Sequence, residues 1–275
     1  MEKKLFCELG PLAYAVSVSK ERANRNIKNL LGKEIYSRQK ASPLPIAICR
    51  HKSLIRRKLG NVDMSLQENK AVNLALTAPK IDGVLIKPAE TFSFWKLAGR
   101  CTKSKGYLEG LAISNGRPSS AIGGGMCQFT NLIHWLVLHS PLEITEHHHH
   151  NNLDLFPDFG RQIPFGCGTS IFYNYLDYRF VNNTENTFQL SVGVDGQYLC
   201  GVLRAAFPIG HSYHIIERDK HFVLENGQYF RRNKVYRQII DKRTGNAVSE
   251  SLISEADAKV LYDPKLIGSD MPLKS

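Results

Sequence analysis

The chain has 275 residues, 43% of them hydrophobic, and a formal net charge of +11 at pH 7. That length and apolar content predict a folded protein with a real core, as one large domain or two small ones. No run approaches the roughly 18 uninterrupted apolar residues that a spanning helix needs, which excludes a transmembrane helix.

The first residues combine a charged start with apolar positions, as a signal peptide does, but Glu8 and Pro11 interrupt what would be its apolar stretch. Leu5 to Val18 alternates weakly and is read as a strand. From Ser19 the pattern changes: Ile27, Leu30, Leu31 and Ile35 fall at helical spacing with Gly32 near the end, which predicts a short basic amphipathic helix. Between Lys20 and Gly60, 12 Lys or Arg face only Glu21 and Glu34, and the rest of the chain is close to neutral. A basic segment beside a neutral body offers a peripheral contact for an anionic surface. No aromatic interleaving or nucleic-acid motif accompanies it, so specific nucleic-acid binding is not expected.

Pro43 and Pro45 mark a loop leading into a short strand. Residues 66–78 are good helix formers that stop before Pro79, and "GVLIKP" reads as a compact strand bounded by Gly83 and Pro88.

The next stretch is the most informative. Gly123, Gly124 and Gly125 precede Cys127, and Leu132, Ile133, Trp135, Leu136 and Val137 then follow in the pattern of a buried helix. Cys127 is therefore placed in the first turn of that helix, where the positive end of the macrodipole favours thiolate. The glycines would let a substrate carbonyl approach backbone donors, and Gln128 could add a side-chain N–H toward a developing oxyanion. The competing reading packs Cys127 as a small apolar residue behind a glycine-rich turn.

A base has a source downstream in "EITEHHHHNN". On a strand, His148 and His150 share one face and His147 and His149 the other. One pair could meet Cys127 as base and orienting neighbour; a cysteine with two histidines would also suit an open zinc site. His134, two turns past Cys127, is read as core or groove lining. The loop at 156–170 brings Arg161, a bidentate grip for the acidic end of a peptide.

Beyond Pro141 strands dominate, near 176–181, 187–194 and 198–205, with "DG" as a turn; from His211 to Asp263 an antiparallel meander is marked by "NG" and "TGN". The fold class expected is α+β, a buried helix packed on antiparallel sheet with a C-terminal meander. Cys7, Cys49, Cys101, Cys127, Cys167 and Cys200 have no paired spacing, which points to reduced thiols and a cytoplasmic location.

From about residue 66 to 205 the chain resembles the VanW family, encoded alongside vancomycin B-type resistance systems. The resemblance is carried by "ENKAVNL", "GVLIKPAETFSFW", "GLAISNGRPSSAIGGGMCQFTNLIHWL" and "DYRFVNNT", with Gly123 to Gln128 matching the family's GGGxCQ signature. Where members place ERHxH, this chain has Glu146, then His147 in place of Arg, with His148 and His150 at the two histidine positions. Gln162 stands where many members carry an acidic residue, against a full Cys-His-Asp triad. Charge, strand signals and the resemblance together divide the chain into a basic segment at 1–65, a VanW-like core at 66–208 and a β-rich extension at 209–275. The resemblance also implies a setting in glycopeptide resistance or the cell envelope, outside the enzymes that remake the D-Ala-D-Ala terminus.

The expected activity is cysteine-dependent acyl transfer or amide hydrolysis on a small peptide or cell-wall precursor, with no cofactor. Cys127 would be the nucleophile, His148 or His150 the base, Gln128 and the backbone at Gly123, Gly124 and Gly125 the oxyanion donors, and Arg161 the peptide grip. The alternatives are a non-catalytic binding protein for a precursor, glycopeptide or protein partner, and a Cys/His metal site.

Overall fold

A computed structural model describes residues 5–57, 63–114, 117–149, 152–158, 162–267 and 273–274. In chain order the elements are helix α1 (Pro11–Leu31), strands β1 (Ile35–Tyr36) and β2 (Ile46–Leu54), helix α2 (Met64–Ile81), strands β3 (Val84–Ile86) and β4 (Glu90–Ser93), and helix α3 (Phe94–Ala98). The hairpin β5 (Glu109–Ser114) and β6 (Arg117–Ile122) leads to helix α4 (Met126–Leu138). Strands β7 (Glu143–Glu146), β8 (Leu153–Asp154), β9 (Arg179–Val181), β10 (Phe188–Asp195), β11 (Tyr198–Ala205), β12 (His211–Glu225), β13 (Gln228–Asp241), β14 (Ala247–Val260) and β15 (Leu273–Lys274) complete the described chain. The fold is α+β.

Two local readings change. Leu5 to Val18 is not a strand, because α1 starts at Pro11 and runs through it. Proline at the first helical position has its φ preset for a helix, and Leu12 and Val16 sit four apart on one face. Helix α2 does not stop before Pro79 but continues to Ile81. An interior proline costs about 3 kcal/mol. Here Ala78 and Ile81 are 4% and 0% exposed, and fully burying an isoleucine side chain returns roughly 1.5–3 kcal/mol. The last turn therefore holds by packing rather than by propensity.

The central sheet has the order β2-β11-β10-β3 and is antiparallel throughout. Helix α4 lies on β2 and β11, and α2 lies against β10. Phe129, Leu132, Ile133, Leu136 and Val137 of α4 are all sealed, together with Leu74, Leu190, Leu199 and Leu203. Gly201 on β11 sets how close α4 can come, since a Cβ there would lie 2.9 Å from Leu132 Cδ2 and from Leu136 Cδ1. The β10–β11 hairpin turns on Gly196, whose φ of 57° is the left-handed geometry that the "DG" signal predicts.

A mixed sheet, β1-β4-β9-β7, packs beside this core and stacks Phe92 on Phe180. The meander forms a sheet in the order β15-β12-β13-β14-β8. Its β12–β13 hairpin turns on Asn226 and Gly227, both at positive φ (50° and 76°), as a type I′ turn requires. Leu138, Cys167 and Val235 make a small apolar cluster where this sheet meets the end of α4.

Candidate functional site

The glycine turn is filled by the protein itself. A Cβ on Gly123 would fall 2.3 Å from Cys101 Cβ, one on Gly124 2.1 Å from the Gly110 carbonyl oxygen, and one on Gly125 2.2 Å from Lys70 Cγ. Two of its amides are also engaged: Gly123 N–H donates to Leu108 O and Gly124 N–H to Ala121 O, each at 2.9 Å. The expected opening for a substrate carbonyl at Gly123 and Gly124 is thus occupied by β5 and its approach. Gly125, at φ 103°, caps the N-terminus of α4. A side chain there would be strained even with space available.

What holds the turn is a polar stripe on α2, within the run of helix formers at 66–78. Gln67, Lys70, Asn73 and Thr77 follow one another at helical spacing, and all are buried. Asn73 is a complete clamp: Nδ2 donates to Gly124 O at 2.9 Å and Leu108 O at 3.0 Å, while Oδ1 accepts from Leu108 N–H at 2.9 Å. Thr77 bonds the Asn73 carbonyl and the Tyr107 hydroxyl. These two satisfied residues fix the distance between α2 and the turn. The segment "ENKAVNL" contains both Lys70 and Asn73, so the signal was a polar stripe inside an otherwise apolar helix.

The N-terminal half of the stripe is different. Gln67 is 0% exposed, yet neither polar atom of its amide has a hydrogen-bond partner. Lys70 is 5% exposed, lies along Gly125, and among the described residues faces no carboxylate. Burial, followed by repulsion from Arg57 and Arg56, pulls its ammonium down to about 7. Buried polar groups are ordinarily paired. The Gln67 amide departs from that rule among the described residues, and Lys70 packs one turn further along, beside the N-terminus of α4.

Cys127 sits in the first turn of α4, as expected, and is half-buried. Its thiol is not activated in the way the helix-terminus argument predicts. Burial pushes it up, and the Ile171 and Cys127 backbone N–H groups beside the sulfur only partly offset that. Gln128 does not point at the sulfur. Its Nε2 donates to Ser53 Oγ at 2.8 Å and Leu54 O at 2.9 Å, tying α4 to β2, so both amide hydrogens are used and the oxyanion role is not available to it.

The histidines form a stack of their own. His147 lies 4.2 Å from the His134 ring and 4.1 Å from the His149 ring, centroid to centroid. The parity expected for His147 and His149 therefore holds just beyond the end of β7. His147 Nε2–H donates to Gly168 O at 2.9 Å, and His134 Nδ1 meets the Tyr178 hydroxyl at 3.1 Å. Burial lowers both, His147 to about 4, with further repulsion among the rings. His148 turns the other way, to Glu146 Oε1 at 2.9 Å. His150 and Arg161 lie outside the described residues. Among the described residues no imidazole is hydrogen-bonded to the Cys127 sulfur, and no three His, Cys, Asp or Glu side chains are grouped to hold a metal ion.

The loop that joins the histidines to α4 is tightly held. Thr169 N–H and its hydroxyl donate to Asn131 Oδ1 at 2.6 and 2.8 Å, Thr169 Oγ1 also meets Thr130 Oγ1, and Ser170 N–H donates to His148 O at 2.7 Å.

With this geometry in place, comparison with known proteins is informative. Residues 69–204, which include Lys70, the glycine turn, Cys127 and the histidine run, match the family model described as VanW like protein. The chain is 34% identical over 200 residues to the vancomycin B-type resistance protein VanW of Enterococcus faecalis, covering 73% of this chain and 72% of that one. It is 30% identical over 121 residues to the uncharacterized protein YoaR of Bacillus subtilis, covering 43% of this chain and 37% of that one. No solved structure matches.

Proposed function

The chain belongs to the VanW family, and on that premise we propose that it serves glycopeptide resistance or the cell envelope by binding a small cell-wall peptide through its carboxylate. The peptide's acidic end is held where Lys70 meets the N-terminus of α4. One observation carries this reading: a buried lysine that faces no carboxylate among the described residues, packed along the glycine that caps a helix. An incoming carboxylate would supply the missing counter-charge and accept from both the ammonium and the first-turn N–H groups. The unpartnered Gln67 amide would then bond the adjoining peptide unit.

Calorimetric titration of the full chain with an acetylated peptide ending in D-Ala-D-Ala, and with its C-terminal amide, tests the reading. Affinity for the free acid that falls about tenfold or more on amidation, and again in Lys70→Met, supports it. Equal affinity for acid and amide removes it.

A second reading keeps Cys127 as the nucleophile of an acyl transfer, because the sulfur lies at the same helix end with the Ile171 N–H against it. The thiol would pass its proton to a base, Sγ would bond to the peptide carbonyl carbon, the base would hand that proton to the departing amine, and water or a second amine would then take the acyl group from sulfur. Of the bases expected, His148 is engaged by Glu146. Alkylation across pH separates the two readings: Cys127 reacting faster than Cys101 at pH 7 favours catalysis, and Cys127 reacting no faster leaves binding alone.

A further inference from the structure

Helix α1 packs with its polar side inward. Arg25 donates to both oxygens of Glu146, at 2.6 and 2.5 Å, and to Tyr175 O; Arg22 donates to Tyr173 O; Asn29 Oδ1 accepts from Arg179 and from the Tyr36 hydroxyl. These residues fall three or four apart and define the docked face. On the opposite face, Leu12, Val16, Ile27 and Leu30 lie on one line and point away from the protein, with Leu12 80% and Leu30 83% exposed. No residue of α1 is buried. In an ordinary surface helix the apolar stripe faces the core, so this one is built for something outside the chain.

We propose that α1 lies flat on an anionic lipid surface, its outward apolar stripe entering the headgroup boundary and its exposed lysines facing lipid phosphates. Arg22 and Arg25 are held on the docked face, which leaves the exposed Lys20 and Lys28 as the helix's charges for the lipid, against the single acid Glu21. The exposed Leu5, Phe6 and Leu9 just before it extend the apolar area at one end. Although α1 has 21 residues, no described helix is long and apolar enough to cross a membrane, which fits a helix that lies on the surface rather than through it. Charge decides the occupant. Two copies pairing through α1 would bring one basic segment against another in chains of net charge +11, whereas an anionic leaflet attracts such a segment. The polar anchors on the inner face leave the stripe free to enter lipid without unfolding the core.

Sedimentation of the full chain with vesicles of phosphatidylglycerol and phosphatidylcholine in equal parts, against pure phosphatidylcholine, tests the proposal. Wild type is expected to sediment with the mixed vesicles only, and less so as salt rises. The quadruple variant Leu12→Ser, Val16→Ser, Ile27→Ser, Leu30→Ser should bind at least about tenfold more weakly, with unchanged far-ultraviolet circular dichroism, since all four side chains are exposed. Three results would overturn the proposal: wild type indifferent to mixed vesicles, the variant bound as tightly as wild type, or a wild-type dimer that the variant converts to monomer.

Discussion

Arg25 and Glu146 form a bidentate ion pair that fastens the N-terminal helix to the strand from which the histidine run emerges. Glu146 also meets Arg179, accepts from His148 and from Asp177 N–H, and holds its carboxyl below the usual range. Burial acts the other way, and the hydrogen bonds from Arg25 and His148 outweigh it. Breaking one side of a largely buried pair costs up to about 3 kcal/mol. Arg25→Ala should lower stability by roughly that amount and speed amide exchange along α1. Urea titration and exchange read by mass spectrometry check both effects.

The glycine turn predicts a sharp contrast between positions. Gly124→Ala sets a methyl against the backbone at Gly110, with nothing flexible to yield; a loss above about 3 kcal/mol, or failure to fold, is expected. A Cβ on Gly168 meets nothing within 4 Å and its φ is not positive, so Gly168→Ala should melt within a few degrees of wild type. Thermal unfolding of the pair decides whether the turn is a packing device.

Lys70 gives a signature on the alkaline side. Its native value of about 7 lies below the ordinary 10.5, so between those two pH values the unfolded chain holds a proton that the folded chain has released. Stability therefore rises with pH across that window. Lys70→Met should flatten the rise while leaving the protein at least as stable at pH 7, because it removes a buried charge that faces no carboxylate among the described residues. Urea midpoints of both proteins at pH 7, 8.5 and 10 (about the ends and middle of the window) test this.

The histidine stack acts in the opposite pH range. His134, His147 and His149 are all lowered in the folded state, mainly by burial. Below the ordinary 6.5 the unfolded chain gains protons first, so stability falls as pH drops, and for His147 the fall continues to about 4. His147→Gln should reduce the slope across that interval. If the variant and wild type lose stability in parallel, the stack is not the source.

Much of the architecture was readable because it rests on local signals. The apolar period from Phe129 to Val137 marks α4, and Gly196 and the Asn226–Gly227 pair mark two hairpins whose backbones need left-handed residues. Cys127 was placed in the right turn of the right helix. The second half of α1 is legible in Ile27, Leu30 and Leu31, whereas its first turns, Pro11 to Val18, read as a strand because the docked face of the helix is polar and gives no inward apolar stripe. At Gly123, Gly124 and Gly125 a sequence shows that a Cβ is missing but not what fills its place, here Cys101, Gly110 and Lys70. Gln128 and His148 make hydrogen bonds to partners on β2 and at Glu146, which no local signal announces. Nothing in the order of residues brings Ser53 to Gln128.

Gly201 belongs to a strand and is not among the contacts of Lys70 or the glycine turn, yet it fixes the height at which α4 rides over the sheet. A methyl group at that point would lift Leu132 and Leu136, and the start of the helix would travel with them. A relative could thus keep every polar residue discussed above and still present them out of alignment. The bare spot on the strand is the first thing to check before crediting such a relative with the same capability.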